Sequence, residues 1–198
     1  MSMNTYLKGR LRNTPLPRTH GLLPFYEAVV NSIQALASVN SDSNSGRILI
    51  EIIRLPQISL DLDETKSRRG AQPQEPILGF RVVDDGCGFD QKNLESFETL
   101  DSDFKADEGC RGVGRLLWLK AFDAVNVVSD FTDSDGSLKR RAFTFTASKG
   151  VDRSPLTAVP ADGQRSTAVH LDGFKQEYRN RAPKTCRAID AGQFRFRA

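Results

Sequence analysis

Three polar side chains on one predicted helix could serve a phosphate group and a metal ion. Glu27, Asn31 and Gln34 recur at helical spacing in the segment EAVVNSIQA, which ends at Ala35. At about 100° per residue they lie within roughly 60° of one another, on a different arc from the apolar residues. The carboxylate could orient a water molecule for attack on phosphorus, and the amide oxygen of Asn31 could ligate Mg²⁺, which prefers oxygen. A solvated polar stripe is the alternative interpretation of this spacing.

An acidic turn that follows an apolar strand could bind a planar base. The segment DDGCGF begins at Asp84 and contains Gly86 and Gly88. The two glycines allow the backbone to approach a flat ligand closely. The carboxylate at the end of the strand can accept a hydrogen bond from an exocyclic amine such as that of adenine. A plain Asp-Gly hairpin turn accounts for the same residues equally well.

A glycine-rich segment directly before an apolar helix could hold phosphates. The run GCRGVGRLLWLKAF contains Gly109, Gly112, Val113 and Gly114. Glycines before a helix N-terminus leave backbone N–H groups free to bind phosphate oxygens. The spacing is the reverse of a dinucleotide-binding fingerprint, and a polar loop precedes it where that fingerprint requires a strand. Thr167 opens a late strand and supplies a hydroxyl that is uninformative by itself.

Three helices and five strands are predicted around these residues. Helices are predicted over residues 22–37, 91–97 and 114–122, and strands over 47–55, 77–83, 124–131, 138–147 and 167–171. Phe143 and Phe145 alternate with Thr144 and Thr146, which indicates half-buried antiparallel strands. Helices on one face of a mixed, mostly antiparallel sheet make a two-layer α/β sandwich of the α+β class.

One domain accounts for most of the chain. We expect an extended N-terminal arm over residues 1–21, a folded domain over 22–172 and a basic tail over 173–198. Within the domain, residues 56–76 contain prolines and many charges, so we expect an exposed insertion there. Residues 101–113 are polar and contain glycine, which predicts a mobile loop.

Composition excludes several classes of protein. The 198 residues fit one domain, and the net charge of +3 from 28 basic and 25 acidic residues indicates no particular partner. The basic runs at residues 139–141 and 179–187 are interpreted as solvated charge, so nucleic-acid binding is not indicated. The three cysteines are widely spaced, which predicts neither a disulfide framework nor a zinc site. With no signal peptide and no apolar stretch of about 18 residues, we expect a cytoplasmic protein without a membrane span.

Together, the four segments resemble in order and setting the motifs of the GHKL ATPase superfamily. Its Bergerat fold is shared by DNA gyrase, the ninety-kilodalton heat-shock chaperones, histidine kinases and the MutL ATPases. The segments LKGRLRNTPLP, HGLLPFYEAVVNSIQA and GCRGVGRLLWLKAF are similar to N-terminal domains of bacterial HSP90-like ATP-binding proteins. The resemblance covers residues 22–171, which is most of the chain.

The resemblance implies an ATP site that uses Mg²⁺, and it gives the residues their roles. Glu27 would activate water, Asn31 would hold the metal, Asp84 would bind the adenine amino group, and Thr167 would help hold adenine through water. Residues 101–113 would form the ATP lid. The residues expected to bind the nucleotide are Asn31, Ala35, Asp84, Gly86, Gly88, Gly109, Gly112, Val113, Gly114 and Thr167.

Several features depart from the family pattern. Gln34 stands where many relatives carry an acid, and the insertion over residues 54–77 is longer than in the mismatch-repair members. In gyrase-like and MutL-like relatives a lysine from a following transducer domain touches the γ-phosphate, and residues 173–198 leave no room for such a domain. We therefore expect the natural chain to continue. Lys105 and Arg111 of the predicted lid could contact phosphate instead, or could be solvated loop charges.

Three functions are compatible with these residues. The first is a Mg²⁺-dependent ATPase that hydrolyses ATP slowly with Glu27 as general base and switches conformation, self-association or a partner protein. The second is a module that binds ATP without hydrolysing it and whose output is an interaction. The third, a histidine kinase catalytic domain, is disfavoured because no phosphoacceptor helix is apparent and His20 and His170 lie in an arm and a strand.

Overall fold

The computed structural model describes residues 7–39, 46–56, 75–99, 114–160 and 162–181. A 3₁₀-helix at Arg18–His20 follows the first α-helix. The α-helices are α1 (Leu7–Asn13), α2 (Leu23–Ala37), α3 (Gln91–Glu98), α4 (Gly114–Ala121) and α5 (Gln176–Arg179). The strands are β1 (Ile48–Arg54), β2 (Ile77–Asp84), β3 (Ala124–Thr132), β4 (Leu138–Thr146), β5 (Gly150–Arg153), β6 (Thr157–Ala158) and β7 (Ser166–Asp172).

The seven strands form one sheet in the order β1-β2-β7-β3-β4-β5, with β6 also paired to β4. The last strand in the chain, β7, lies between β2 and β3 and pairs with both. Every pairing among the described strands is antiparallel, so the parallel pair expected of a mixed sheet is not found among them. Strands β5 and β6, which the sequence does not predict, extend the sheet beyond β4. The α+β class is confirmed.

The strand register builds an apolar face from rows of side chains. Directly opposed residues on antiparallel neighbours project to the same face of a sheet. The first row contains Ile52, Phe80, Leu171, Val125 and Phe145, and the second contains Ile50, Val82, Val169, Val127 and Phe143. All ten side chains are buried except that of Ile52, which is partly buried against the same core.

Aromatic contacts attach three helices to this apolar face. Phe25 of α2 stacks on Phe80, with ring centroids 4.5 Å apart. Phe97 of α3 lies 5.3 Å from Phe143, and Trp118 of α4 lies 5.9 Å from Phe97. Aromatic pairs of this kind contribute about 0.5–1.5 kcal/mol each beyond the burial of their area. The helices α2, α3 and α4 therefore pack on the same face of the sheet.

From residue 7, where the described part of the chain begins, the N-terminal segment is not the extended arm that the sequence predicts. Its residues Leu7–Asn13 form α1, and Leu11 and Leu16 are buried in the core. Lys120 of α4 donates a hydrogen bond to the Leu11 carbonyl at 3.0 Å. The two prolines of this segment follow the helix and leave its hydrogen bonds intact, so they do not oppose helix formation. Burial of the leucines against the domain supplies the stabilisation that local sequence does not reveal.

The segment after residue 172 is not simply a tail, because its first residues complete the domain. Phe174 is buried and stacks on Phe122 with centroids 4.9 Å apart, and Tyr178 of α5 is buried as well. Lys175 donates to the Leu119 carbonyl at 2.7 Å, near the C-terminal end of α4. Cations at this position satisfy helix-end carbonyls and interact favourably with the helix dipole. The domain thus extends at least through α5.

Three sequence predictions fall on residues outside the described ranges. They are most of the insertion over 56–76, the loop over 101–113 and the tail beyond residue 181. Within the described residues, none of the helices has the length and apolar character needed to cross a membrane.

Candidate functional site

Across the three central strands, a third row of side chains on the helix-covered face is polar, between Ile48 on β1 and Arg141 on β4. It contains Asp84 at the end of β2, Thr167 on β7 and Ser129 on β3, directly opposed across the three strands. These side chains are 4%, 4% and 0% exposed, respectively. In each strand the polar residue is in phase with the buried apolar residues two and four positions away. The apolar face therefore ends in a buried polar row.

Asp84 is held by hydrogen bonds from two directions. Ser32, a buried residue of α2, donates its hydroxyl to Asp84 Oδ2 at 2.7 Å, and the Gly86 N–H donates to Oδ1 at 3.0 Å. Burial raises the pKa of Asp84 to about 6, although both hydrogen bonds favour the ionised form. The nearby carboxylate of Asp85 raises this pKa slightly further. Asp84 is thus a buried, oriented acceptor whose ionisation is costly without a further partner.

The turn after β2 packs against both α2 and the polar row. The Cys87 N–H donates to the Ala35 carbonyl at 3.1 Å, and a Cβ on Gly86 would lie 2.7 Å from the Ala35 carbonyl carbon. Gly88 has a φ of +75°, and a Cβ there would lie 2.7 Å from Ser129 Oγ. Gly86 is therefore required by the close approach of the Ala35 backbone, and Gly88 by its left-handed conformation and by the buried side chain of Ser129. Ala35, predicted as a nucleotide contact, anchors this turn through its carbonyl.

The substitution Gly88→Ala is expected to lower the free energy of unfolding by about 2–4 kcal/mol. A left-handed backbone costs an alanine about 1–2 kcal/mol, and the new methyl group overlaps the buried Ser129 hydroxyl, which adds a similar cost. Gly136→Ala is the matched control, because Gly136 has a φ of +80° but nothing within 4 Å of its Cβ position. Urea denaturation measures both losses. Equal losses in the two variants would contradict the contribution of close packing at Gly88.

Glu27 on α2 faces the first residue of α4. A Cβ on Gly114 would lie 2.5 Å from Glu27 Oε2, so a larger residue there would require the Glu27 carboxylate to shift. Burial raises the pKa of Glu27, which brings it closer to the range in which a carboxylate acts as a proton acceptor at neutral pH. The N-terminus of a helix attracts anions through its unpaired N–H groups and its dipole. The structure thus places a carboxylate beside an anion-attracting helix terminus.

Asn31 lies one helical turn beyond Glu27 and is exposed. Its amide oxygen is therefore accessible to a ligand from solvent. No group of three His, Cys, Asp or Glu side chains in the described ranges could hold a metal ion by itself. The Asn31 amide oxygen fits Mg²⁺, which is often bound through few protein ligands together with water and phosphate oxygens. The predicted contacts at Gly109, Gly112 and Val113, and the candidate cations Lys105 and Arg111, lie outside the described residues.

Arg115 joins the two helices that flank residues 100–113. Its buried side chain donates from Nη1 to the Ser96 carbonyl at 2.9 Å and from Nη2 to the Thr99 carbonyl at 2.6 Å. The guanidinium carbon lies 5.6 Å from the centroid of the Phe97 ring. These contacts satisfy carbonyls at the end of α3 from the first turn of α4. The Arg115 side chain therefore links the end of α3 to the start of α4, the two helices on either side of the glycine-rich segment.

Two buried residues of the site, Ser32 beside Asp84 and Ser129 in the polar row, were not predicted from the sequence as site residues. Ser32 lies on the same buried side of α2 as Ala28, and Ser129 is in phase with the buried Val127 on β3. The signal in each case is a polar side chain at a position where the periodicity predicts an apolar one. Buried hydroxyls of this kind require hydrogen-bond partners, and both have them.

The chain was also compared with known proteins. No protein-family model matches it, and no curated protein matches it. The assignment of the site therefore rests on the geometry of the described residues. The two features that carry it are the polar row beneath the glycine turn and the carboxylate of Glu27 beside α4.

Proposed function

We propose that this chain is an ATP-binding domain with the Bergerat fold of the GHKL superfamily. The polar row beneath the two-glycine turn is the observation that supports this best. Asp84 offers a buried acceptor there, and the Thr167 hydroxyl lies on the neighbouring strand in direct register. The amino group of adenine would donate to Asp84, and the adjacent ring nitrogen would accept from Thr167, directly or through water.

The phosphates would lie between α2 and the N-terminus of α4. Glu27 would accept a proton from the water that attacks the terminal phosphorus, and its raised pKa suits that role. The positive end of the α4 dipole would stabilise the phosphate charge. Asn31 would ligate Mg²⁺, which when bound neutralises charge on the phosphate oxygens. We propose that hydrolysis is slow and that bound ATP acts mainly as a conformational switch.

Titration calorimetry with ATP in the presence of Mg²⁺ tests this function. We expect one ATP to bind per chain, and we expect Thr167→Val to weaken binding about tenfold through loss of one hydrogen bond. Thr144→Val is the matched control, because the Thr144 hydroxyl bonds to Asn126 in a different row of the sheet. Its affinity for ATP should equal that of the wild type. No heat of binding for the wild-type chain at millimolar ATP contradicts the proposal.

A second candidate is a module that does not hydrolyse ATP and whose self-association ATP controls. Helix α2 exposes a stripe of four apolar residues, each between 39% and 48% exposed: Leu23, Tyr26, Val30 and Ile33. Alternating spacings of three and four residues are typical of helices that pair with another helix. The stripe adjoins Glu27, so two copies could bury it across a twofold axis next to the proposed phosphate site.

Light scattering with a nonhydrolysable ATP analogue tests the second candidate. The expected result is a doubling of the molar mass with the analogue, which Val30→Glu abolishes. Leu156→Glu is the control, because Leu156 is 49% exposed but lies outside this stripe. A mass that stays that of one chain with the analogue counts against self-association. Phosphate release from ATP by the wild type counts against a module that does not hydrolyse it.

A further inference from the structure

We propose that Ser129 is a positioning residue that fixes the Thr167 hydroxyl as a hydrogen-bond donor and thereby makes the site prefer adenine over 6-oxopurine bases. The inference rests on the proposed nucleotide site and adds to it the determinant of base selection. Ser129 does not need to touch the base itself. It acts through the neighbouring strand, where its register partner is Thr167.

The hydrogen bonds of Ser129 determine where its proton points. Its Oγ accepts a hydrogen bond from the Phe89 N–H at 2.9 Å and lies 2.9 Å from Thr167 Oγ1. Phe89 and Thr167 are its hydrogen-bond partners within the described part of the chain, and its side chain is 0% exposed. A hydroxyl has a single proton to donate, and the amide of Phe89 cannot accept it. Ser129 Oγ could also accept from Thr167, but the proton of Ser129 would then have no acceptor among these partners, so we assign that proton to Thr167 Oγ1.

This assignment leaves the proton of Thr167 available for a ligand. Because Thr167 accepts from Ser129, its own hydroxyl proton is not used in that contact and can be donated to a ligand on the side of the row where Asp84 lies. Asp84 accepts from Ser32 and from the Gly86 N–H and, when ionised, has only acceptor positions. Two adjacent strands therefore present an acceptor and a donor side by side.

An acceptor next to a donor distinguishes the two classes of purine base. Adenine presents an amino donor at position 6 and an acceptor at N1, which complement Asp84 and Thr167. A 6-oxopurine presents an acceptor at position 6 and an N1–H donor. Its oxygen would therefore face the acceptor Asp84, and its N1–H would face the donor Thr167. Sites that bury hydrogen-bonding groups discriminate strongly against ligands that leave those groups unpaired. Without Ser129, the Thr167 hydroxyl could rotate and accept from the N1–H of the oxopurine.

The experiment measures the affinities of ATP and of inosine triphosphate, which differ only at position 6 and N1 of the base. The expected result is that Ser129→Ala lowers the ratio of the two affinities about tenfold, mainly by weakening ATP binding. The double variant Ser129→Ala/Thr167→Val should match Thr167→Val alone, because Ser129 acts through Thr167. Thr144→Val, which removes a hydroxyl from a different row, should leave the ratio unchanged.

The outcomes separate this inference from the proposed function. If Ser129→Ala weakens both nucleotides equally, or if its effect adds to that of Thr167→Val, Ser129 has only a structural role and the inference is wrong. A wild-type chain that binds neither nucleotide refutes the proposed function, and the inference with it. If Ser129→Ala does not fold, Ser129→Cys keeps a side chain of similar size with a weaker donor. It should lower the ratio in the same direction, and an unchanged ratio overturns the inference.

Discussion

Replacing Asp84 with asparagine is expected to reduce ATP affinity by about 100-fold or more and to make the unliganded protein more stable at pH 7. The amide nitrogen of asparagine is a donor, and it would face the adenine amino group, which is itself a donor and requires an acceptor. The opposite effect on stability follows from burial, which raises the pKa of Asp84 to about 6. The folded state therefore disfavours the ionised carboxylate that the unfolded chain carries at neutral pH.

The sign of this pH dependence is specific. A carboxyl group whose pKa is raised in the folded state contributes stability that is fully present below its unfolded pKa of about 4 and is lost as the pH rises to about 6. Above pH 6 the ionised carboxylate costs about 3 kcal/mol, an order-of-magnitude value from the size of the pKa shift. Asp84→Asn should recover up to that amount at pH 7 and nothing below pH 4. The affinity for ATP should fall as the pH falls below about 6, because protonation removes the acceptor.

Urea denaturation at both pH values and calorimetry with ATP measure these effects. Asp85→Asn is the matched control, because Asp85 is the adjacent carboxylate and accepts from the Arg47 N–H at 2.8 Å at an exposed position. Its variant should keep wild-type affinity for ATP. An Asp84→Asn protein that is less stable than the wild type at pH 7, or that binds ATP equally well, contradicts the role assigned to this carboxylate.

Replacing Glu27 with glutamine is expected to slow ATP hydrolysis by about 10²–10⁴-fold while changing ATP affinity little. Glutamine preserves the size of the side chain beside Gly114 but cannot accept a proton. General bases in enzymes contribute rate factors of this size. The wild-type rate should fall as the pH falls through the raised pKa of Glu27, because protonation removes the base.

Single-turnover phosphate release measures this rate in both proteins. Glu51→Gln is the control, since Glu51 pairs with Arg81 at 2.9 Å on strands β1 and β2 and lies in a different row from Asp84. Equal rates for the wild type and Glu27→Gln would remove Glu27 from the mechanism. ATP that binds tightly to the wild type without turnover would favour the module that does not hydrolyse it.

The regular elements of the domain were largely predictable because their signals are local. The apolar periodicity of α2 and the alternation in β4 predict these elements to within about two residues of their ends. The segment that forms α1 was wrongly predicted to be an extended arm, because many of its residues are polar and two prolines follow it. That helix is stabilised by the burial of Leu11 against the domain, a contact that no local pattern reveals.

Local sequence patterns are enough to show which chemical groups are available, and the sequence thereby specifies their neighbours along the chain. It placed Glu27 and Asn31 one turn apart on a helix, Asp84 at a strand end and Gly88 in the following turn. These placements depend on intervals of a few residues, over which helical and strand geometry is nearly fixed. The types and local positions of these groups therefore follow from the chain alone.

Which of these groups meet depends on long-range packing. The hydrogen bond from Ser32 to Asp84 and the contact between Ser129 and Thr167 join residues 52 and 38 positions apart. The first depends on the packing of α2 against β2. The second depends on β7 inserting between β2 and β3 in one register, and a shift of one residue would turn Thr167 to the other face of the sheet. Strand order and register are set by the packing of the whole apolar face. For that reason neither Ser32, which joins the site through the packing of α2, nor Ser129, which joins it through strand pairing, could be predicted from local spacing.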